Sequence, residues 1–451
     1  MNRTILFLSL FCVFIASPNS FVLGQCLATQ ATKYQPMPSA GLNEFGSTID
    51  TDGELVIVGV RLDSANGLET GTAYLFGIDG SQIFELLPNQ SVEFDFYGSS
   101  VAVANGVGLV GARGDSNDTG SFSGSVYLFD VSTGQQTGKI VPDDVGLLDQ
   151  FGSSLSVSGN LAIVGTPGDD DNGNSSGSAY IYDIFTETQI TKLLADDGSS
   201  SDCLGTSVDI DGTHAIVGSP DDDDNGSESG SAYVFDAITG QQIVKLLPED
   251  GNAGDSFGQS VAISGGFALV GAPEDDDNGS RSGSAYLFNA TTGEQILKLA
   301  PKETNSFDRF GNSVAIDGVT AVIGAFRYNG SSDEMGTAFV FDLQTCVESD
   351  RFSPDDIQLF DRFGTAVSIS DQNIVVSSEG DGVGSAYLFQ HTCNGILLGN
   401  VNQDGSVDLL DVSPFVSLIT MNEFQIEADI NEDGQVDLLD VSPFVGLLTG
   451  S

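Results

Sequence analysis

Two stretches of the chain place oxygen-bearing side chains at the intervals that wrapping around a cation demands. The first carries Asn400, Asn402, Asp404, Ser406, Asp408 and Asp411, with Gly405 in the middle. The second begins 29 residues later and carries Asp429, Asn431, Asp433, Gln435, Asp437 and Asp440, with Gly434 in the same place. Counted from the first residue of each stretch, the side chains fall at positions 1, 3, 5, 7, 9 and 12, and the glycine at 6. A backbone closing around Ca²⁺ uses side-chain oxygens at 1, 3, 5 and 12, a carbonyl at 7, a water-mediated contact at 9 and the sharp turn that glycine allows at 6. The chemistry implied is calcium ligation by two tandem loops, a repetition that coincidental acidic turns would not produce.

Further carboxylates gather upstream. Asp169-Asp170-Asp171-Asn172-Gly173, Asp221-Asp222-Asp223-Asp224-Asn225-Gly226 and Glu274-Asp275-Asp276-Asp277-Asn278-Gly279 put eleven acids into three similar stretches. Crowded carboxylates repel unless a cation or water separates them, so calcium ligation is one reading of these residues. A solvated turn with Asn-Gly in the left-handed conformation is the other.

The rest of the composition narrows the chemistry. Against 64 Asp and Glu stand 14 Lys and Arg, a net charge of −50, which leaves little with which to neutralise phosphates or to meet an anionic membrane. Nucleic acid and membrane surface are poor candidate partners on that ground. His214 and His391 are the only imidazoles, so a multi-histidine metal site and most histidine-based catalysis have nothing to draw on. Residues 1 to 24 read as a secretory signal peptide: Arg3, the apolar run Ile5 to Ala16, a polar break at Ser17 to Ser20, then Phe21-Val22-Leu23-Gly24 before cleavage at Gln25. No later run is long and apolar enough to span a bilayer. The expected destination is secretion or the cell surface, an oxidising setting in which Cys26, Cys203, Cys346 and Cys393 can pair in three ways.

The elements that must position these residues are announced by a repeat. Phe45-Gly46, Tyr97-Gly98, Phe151-Gly152, Leu204-Gly205, Phe257-Gly258, Phe310-Gly311 and Phe363-Gly364 recur every 52 to 54 residues. Such a period signals stacked supersecondary units. Within one unit, Ser260 to Ser264, Phe267 to Gly271, Ser284 to Phe288 and Gln295 to Leu299 read as four short strands, with turns at Gly265-Gly266 and Thr292-Gly293. The fold class is therefore all-β, a seven-bladed β-propeller over residues 25–395. The seventh unit stops at Gln390 without a fourth strand. Gln30, Lys33 and Pro36 match Gln242, Lys245 and Pro248, so Gln30 to Pro36 supplies the missing strand and the ring closes without exposed edges. That register brings Cys26 and Cys393 to neighbouring positions and predicts a disulfide between them, while Cys203 and Cys346 stay unpaired.

Other recurrent residues read as structure. Asp95, Asp149, Asp202, Asp255, Asp308 and Asp361 precede the Phe-Gly position by two residues and suit turn capping. Tyr127, Tyr180, Tyr233 and Tyr286 suit a core between blades. Arg113-Gly114-Asp115 spells an adhesion tripeptide by chance, being in register with Pro167-Gly168-Asp169.

Phe-Gly, followed by Gly271-Ala272-Pro273 with its variants Gly165-Thr166-Pro167 and Gly218-Ser219-Pro220, followed by Gly-Ser-Ala-Tyr-Leu-Phe, resembles FG-GAP repeats. These build the integrin alpha-chain propeller and occur in many secreted bacterial proteins. The resemblance covers Gln30 to Gln390. The integrin-type calcium loop lies between the first and second strands, where this sequence has tight turns, so those metal sites do not carry over; Asp50-Thr51-Asp52-Gly53 is too short to serve.

Residues 396–451, with the duplicated loop and an apolar helical segment after each, Val412 to Ile419 and Val441 to Leu448, resemble a type I dockerin, a calcium-folded module that binds cohesin domains. Residues 408 to 416 and 437 to 445 are identical, which implies pseudo-two-fold symmetry. Asn400, the prolines Pro414 and Pro443, and the pairs Leu409-Leu410 and Leu438-Leu439 depart from the dockerin pattern, and touch cohesin specificity more than calcium binding.

The function expected is that of a secreted, non-enzymatic binding or scaffold protein. Its propeller would offer a face to an unknown protein or glycan ligand, and its C-terminal module, with Ca²⁺ as cofactor, would dock to a cohesin-like or other surface protein. The alternative is an extracellular polysaccharide-active enzyme carrying a dockerin-like tail. No triad or break in the repeat marks a reaction centre.

Overall fold

The computed structural model describes residues 26–393, apart from 37–43, 91, 118–119, 304, 329–334, 344–346 and 381–382, and apart from the side chains of 26–28 and 392–393. The expected signal peptide, and the calcium loops and helices expected at the C-terminus, lie outside the described residues.

Seven four-stranded antiparallel sheets follow one another. Blades one to six run Thr48–Leu86, Tyr97–Ile140, Ser154–Leu193, Ser207–Leu246, Ser260–Leu299 and Ser313–Phe352. Blade five matches the sequence expectation almost residue for residue, as Ser260–Ser264, Phe267–Ala272, Ser284–Asn289 and Gln295–Leu299. The burial of its strands explains why the sequence reads so. Second and third strands are covered on both faces by neighbouring blades and are buried almost throughout, hence the apolar runs of Phe267–Ala272 and Ser284–Asn289. The fourth strand lies at the periphery and is only partly buried, so polar residues alternate with apolar ones.

Blade seven has the sheet order Cys26–Tyr34, Ser385–Cys393, Asn373–Ser378, Phe363–Ser370. The N-terminal strand therefore closes the ring, as expected. It starts four residues before Gln30 and ends at Tyr34, two short of Pro36, since proline has no N–H to give the ladder. Side-chain register is kept as well: Gln30 Oε1 accepts the N–H of Asp355 at 3.1 Å, where Gln242 accepts that of Asp196 at 3.0 Å and Gln295 that of Glu249 at 2.9 Å.

The Phe-Gly pair is the joint between blades. Phe257 is fully buried and meets Tyr286 and Phe288 edge-on at 5.5 and 5.8 Å between ring centres, geometry that adds about 0.5–1.5 kcal/mol to area burial. Gly258 follows at φ +93°, and a Cβ there would lie 2.2 Å from the Ser231 carbonyl oxygen of the preceding blade. A parallel bridge ties each blade to the next, from Gly71 and Tyr97 onward, and Phe45 with Gly384 completes the circle. The first strands line a central channel of about 730 Å³.

Candidate metal centres

The eleven acids of the three upstream loops fall between the second and third strands of blades three, four and five. The structure does not gather them into one shell. One aspartate per loop turns inward: Asp169, Asp222 and Asp275 are buried, whereas Asp170, Asp171, Asp223, Asp224, Asp276 and Asp277 are exposed. Asp222 shows the pattern. Its Oδ1 accepts the N–H of Asp224 at 2.9 Å, and its Oδ2 accepts from Ser231 Oγ at 2.9 Å, Tyr233 Oη at 2.8 Å and Lys245 Nζ at 3.0 Å. Asp169 and Asp275 meet Lys192 and Lys298 at 2.7 and 3.0 Å.

Each lysine draws in two more carboxylates. Lys245 Nζ reaches Asp197 at 2.9 Å and Asp224 at 2.5 Å; Lys192 reaches Asp144 at 3.1 Å and Asp171 at 2.7 Å; Lys298 reaches Asp250 at 2.8 Å and Asp277 at 2.6 Å. The ammonium also lies 4.9 to 5.1 Å from the centre of the cross-strand tyrosine ring, a favourable cation–π position. Burial works against each lysine's charge, but the hydrogen bonds it donates to the surrounding carboxylates outweigh it and hold all three above the ordinary lysine range. Thus a cation from the chain itself already occupies the centre of every acidic loop. Of the five remaining acids, three are engaged otherwise: Asp170 and Asp223 accept the N–H of Ser175 and Glu228, and Glu274 pairs with Arg281 and Arg309, each at 2.9 Å; Asp221 lies beside Cys203, and Asp276 is exposed. Among the described residues, no group of three or more Asp, Glu, His or Cys is disposed to hold a metal ion.

Other residues singled out by sequence find structural work. The six recurrent aspartates each accept the N–H three residues earlier, from Asp95 with Val92 at 2.6 Å to Asp361 with Gln358 at 2.6 Å. They are the turn caps expected. Asp115 of the adhesion tripeptide is buried against Tyr127 Oη at 2.8 Å and Lys139 at 2.7 Å, so it cannot be presented to a receptor. Tyr127, Tyr180, Tyr233 and Tyr286 belong to the core, as expected. Cys203 is a half-buried free thiol, pushed up to about 12 by burial and then by Asp221. Cys346 and the side chains of Cys26 and Cys393 lie outside the described residues.

Sequence reading missed the channel carboxylates. Asp50 joins three blades: its Oδ2 accepts the N–H of Val103 at 2.8 Å and its Oδ1 the hydroxyl of Ser368 at 3.0 Å. Asp209 does the same with Ile263 N–H at 2.7 Å and Ser156 Oγ at 2.6 Å. Burial raises Asp50 to about 7 and Asp209 to about 6. The signal was present, since alternation along the first strands sets Asp50, Ala102, Ser156, Asp209, Ala262, Ala315 and Ser368 at one level of the channel. Asp52 only holds a turn, accepting from Glu54 and Leu55 N–H at 3.0 and 2.8 Å.

Known families account for both parts of the chain. The FG-GAP repeat profile matches residues 81–129, 135–182, 188–235, 241–288, 294–341 and 347–389, and the dockerin type I domain profile matches residues 398–443. Each matched repeat begins at the fourth strand of one blade and ends in the third strand of the next. Cys26 to Gly77 has that same composition of strands and makes the seventh unit. No curated protein matches the chain. With its seven aromatic- or leucine-glycine joints, its ring of four-stranded blades and the tandem acidic repeats inside the second match, the chain belongs to the FG-GAP repeat family and carries a dockerin type I domain.

Proposed function

We propose that this is a secreted, non-enzymatic scaffold protein, whose propeller serves as an interaction platform and whose dockerin domain tethers it to a cohesin-bearing extracellular protein. The observation that carries the reading is the coincidence of the dockerin match at 398–443 with two loops bearing oxygens at all the calcium positions, Asn400 to Asp411 and Asp429 to Asp440. Dockerin type I domains bind calcium, and a module of that size takes most of its order from the metal because few residues remain for a core. In the propeller, the inward-turned acids of the three loops, Asp169, Asp222 and Asp275, are paired with Lys192, Lys245 and Lys298, and the turn-capping aspartates are consumed by backbone amides. We therefore assign calcium ligation in the tail to Asn400, Asn402, Asp404, Asp411, Asp429, Asn431, Asp433 and Asp440, with Ser406 and Gln435 lending carbonyls and Asp408 and Asp437 acting through water.

The test is capture by immobilised cohesin domains in calcium and in EDTA. The full chain should bind in calcium and be released by EDTA, and a chain carrying both Asp404→Ala and Asp433→Ala should not bind in either. Calcium-independent capture, or capture that survives both substitutions, overturns the tethering reading.

A further inference from the structure

Blades two to five share a three-residue cluster formed by the loop aspartate, the tyrosine of the third strand and the lysine paired with it in the fourth. The pairs Tyr127 with Lys139, Tyr180 with Lys192, Tyr233 with Lys245 and Tyr286 with Lys298 stand directly opposite each other in the ladder. Blade one keeps the aspartate as Asp63 and the tyrosine as Tyr74, but the residue opposite Tyr74 is Glu85. A carboxylate thus replaces the ammonium next to a carboxylate that the fold still buries.

The backbone around Asp63 is that of its counterparts. Its carbonyl accepts the N–H of Gly71 at 2.9 Å, as Asp169 accepts that of Gly177 and Asp222 that of Gly230, both at 2.9 Å. Its Oδ1 accepts the N–H of Ala65 at 3.1 Å, as the Oδ1 of Asp169 accepts that of Asp171 at 3.0 Å. Oδ2 is consequently left to face the place where Asp169 and Asp222 meet lysine. Asp63 is 0% exposed, and its Oδ2 has no hydrogen-bond partner among the described residues. Thr72 Oγ1, in the position from which Ser178 and Ser231 donate to their aspartates, is also buried without a partner, a condition it shares with Ser125 and Ser284. Tyr74 Oη donates to Glu85 Oε1 at 3.4 Å instead of to the loop aspartate as Tyr127, Tyr233 and Tyr286 do, and the Glu85 side chain is exposed. An orphaned buried carboxylate oxygen costs several times a made hydrogen bond, and a glutamate where blades two to five put a lysine leaves that cost uncompensated.

We infer that blade one takes a hard divalent cation of the Ca²⁺ class where blades two to five place the lysine ammonium, with Asp63 Oδ2, the Glu85 carboxylate and Tyr74 Oη as ligands from the chain. Two carboxylates match a charge of two, which one ammonium or alkali ion does not. Ca²⁺ accepts irregular oxygen sets and fills the remainder with water, whereas Mg²⁺ demands near-octahedral geometry and gives up its water reluctantly. The site is separate from the dockerin loops and from the lysine-closed loops of blades three to five.

The experiment titrates CaCl₂ calorimetrically into the full chain carrying Asp404→Ala and Asp433→Ala, which silence the tail, with and without Glu85→Lys. The parent should bind one Ca²⁺ with Kd on the order of 10⁻⁴–10⁻³ M, the range of weak extracellular sites, and its thermal midpoint should rise with calcium. Glu85→Lys, which restores the residue of the other blades, should bind none and should melt above the parent in EDTA. Glu85→Gln should bind roughly tenfold more weakly, because ligand charge sets affinity in such sites. Equal calcium uptake with and without Glu85→Lys overturns the inference. So does a parent indifferent to calcium that is instead stabilised by acid, because a proton would then hold Asp63 and Glu85 together. Since the tail is silenced throughout, these outcomes stand apart from the cohesin test.

Discussion

Ser377 Oγ accepts the backbone N–H of Ala366 at 2.9 Å, reversing an arrangement found in the other six blades. In those, the hydroxyl sits on the first strand and the glycine on the second: Ser260 Oγ donates to the Gly311 carbonyl of the next blade at 2.8 Å, and Thr48, Ser100, Ser154, Ser207 and Ser313 do likewise at 2.7 to 3.0 Å. Gly271 must lack a side chain because its Cβ would lie 2.0 Å from the Gly311 oxygen and 2.3 Å from Ser260 Oγ. Ala366 removes the hydroxyl and so makes room for Ser377, but the joint between blades seven and one loses its latch.

This pair is expected to be strongly coupled. Ala366→Ser alone should destabilise by about 1–3 kcal/mol, because the new hydroxyl overpacks against Ser377. With Ser377→Gly added, the latch to Gly46 can form, and the double variant should be at least as stable as the parent, gaining about 1 kcal/mol for the hydrogen bond. Urea denaturation of the four species gives the coupling energy. Additive effects within about 0.5 kcal/mol would show that the two positions do not exchange roles.

Removing the central lysine of an acidic loop should expose what it neutralises. Lys245→Met leaves Asp197, Asp222 and Asp224 facing one another, with Asp222 buried. We expect a loss of about 2–3 kcal/mol, below that for a fully buried pair because Asp197 and Asp224 are half exposed to solvent. The same variant presents three carboxylates to solution, so millimolar Ca²⁺ should return part of the loss. Thermal melting in calcium and in EDTA measures both, and a Lys245→Met protein as stable as the parent in EDTA would remove the lysine from the account.

Stability should fall between weakly acidic and neutral pH. Burial holds Asp50 at about 7 and Asp95, Asp202, Asp209 and Asp255 at about 6, whereas an unfolded aspartate titrates near 4. Between these values the folded chain binds more protons than the unfolded one, so stability decreases as pH rises. The contribution is complete below about pH 4 and is gone above the folded values. Asp222, Asp250 and Asp356, held low by hydrogen bonds to backbone and lysine against their burial, oppose it only below pH 4. The thermal midpoint should therefore be a few degrees higher at pH 5 than at pH 7.5. Asp50→Asn imitates the protonated carboxyl and should flatten the profile. A midpoint that climbs from pH 5 to 7.5 contradicts this reading.

The sequence made the ring legible because the joints tolerate little variation. Phe257 must fill the space between two blades and Gly258 must pass close to Ser231, so the pair recurs wherever a blade begins. Closure by the N-terminal strand was legible from Gln30 and Lys33, whose side chains keep the bonds of their counterparts: Gln30 holds Asp355, and Lys33 meets Asp356 at 2.7 Å. The lysine clusters were not legible in one blade. Lys245 looks like a solvated residue on an outer strand, and its partners Asp224 and Asp197 stand 21 and 48 residues away, brought to it by packing between blades. Superposing the repeats would have shown Lys139, Lys192, Lys245 and Lys298 in one column with Glu85 as the exception. The two tail repeats were legible for a different reason: the spacing that a calcium loop demands is set within twelve residues, without reference to the rest of the fold.

The closure carries the last expectation. Cys26 opens the outermost strand of blade seven and Cys393 ends the strand beside it. We expect them to form a disulfide when the chain folds in an oxidising compartment. It would close a loop of nearly the whole propeller, which in the chain-entropy account stabilises by about 3–5 kcal/mol, within the blade that both ends of the propeller share. Peptide mapping under non-reducing conditions should find Cys26 linked to Cys393 and Cys203 free. Cys26→Ser should lower the thermal midpoint by several degrees, and reduction should lower the parent by the same amount while leaving Cys26→Ser unchanged. Two free thiols at Cys26 and Cys393 in protein isolated from an oxidising compartment would refute the pairing and leave ring closure to the strand's hydrogen bonds alone.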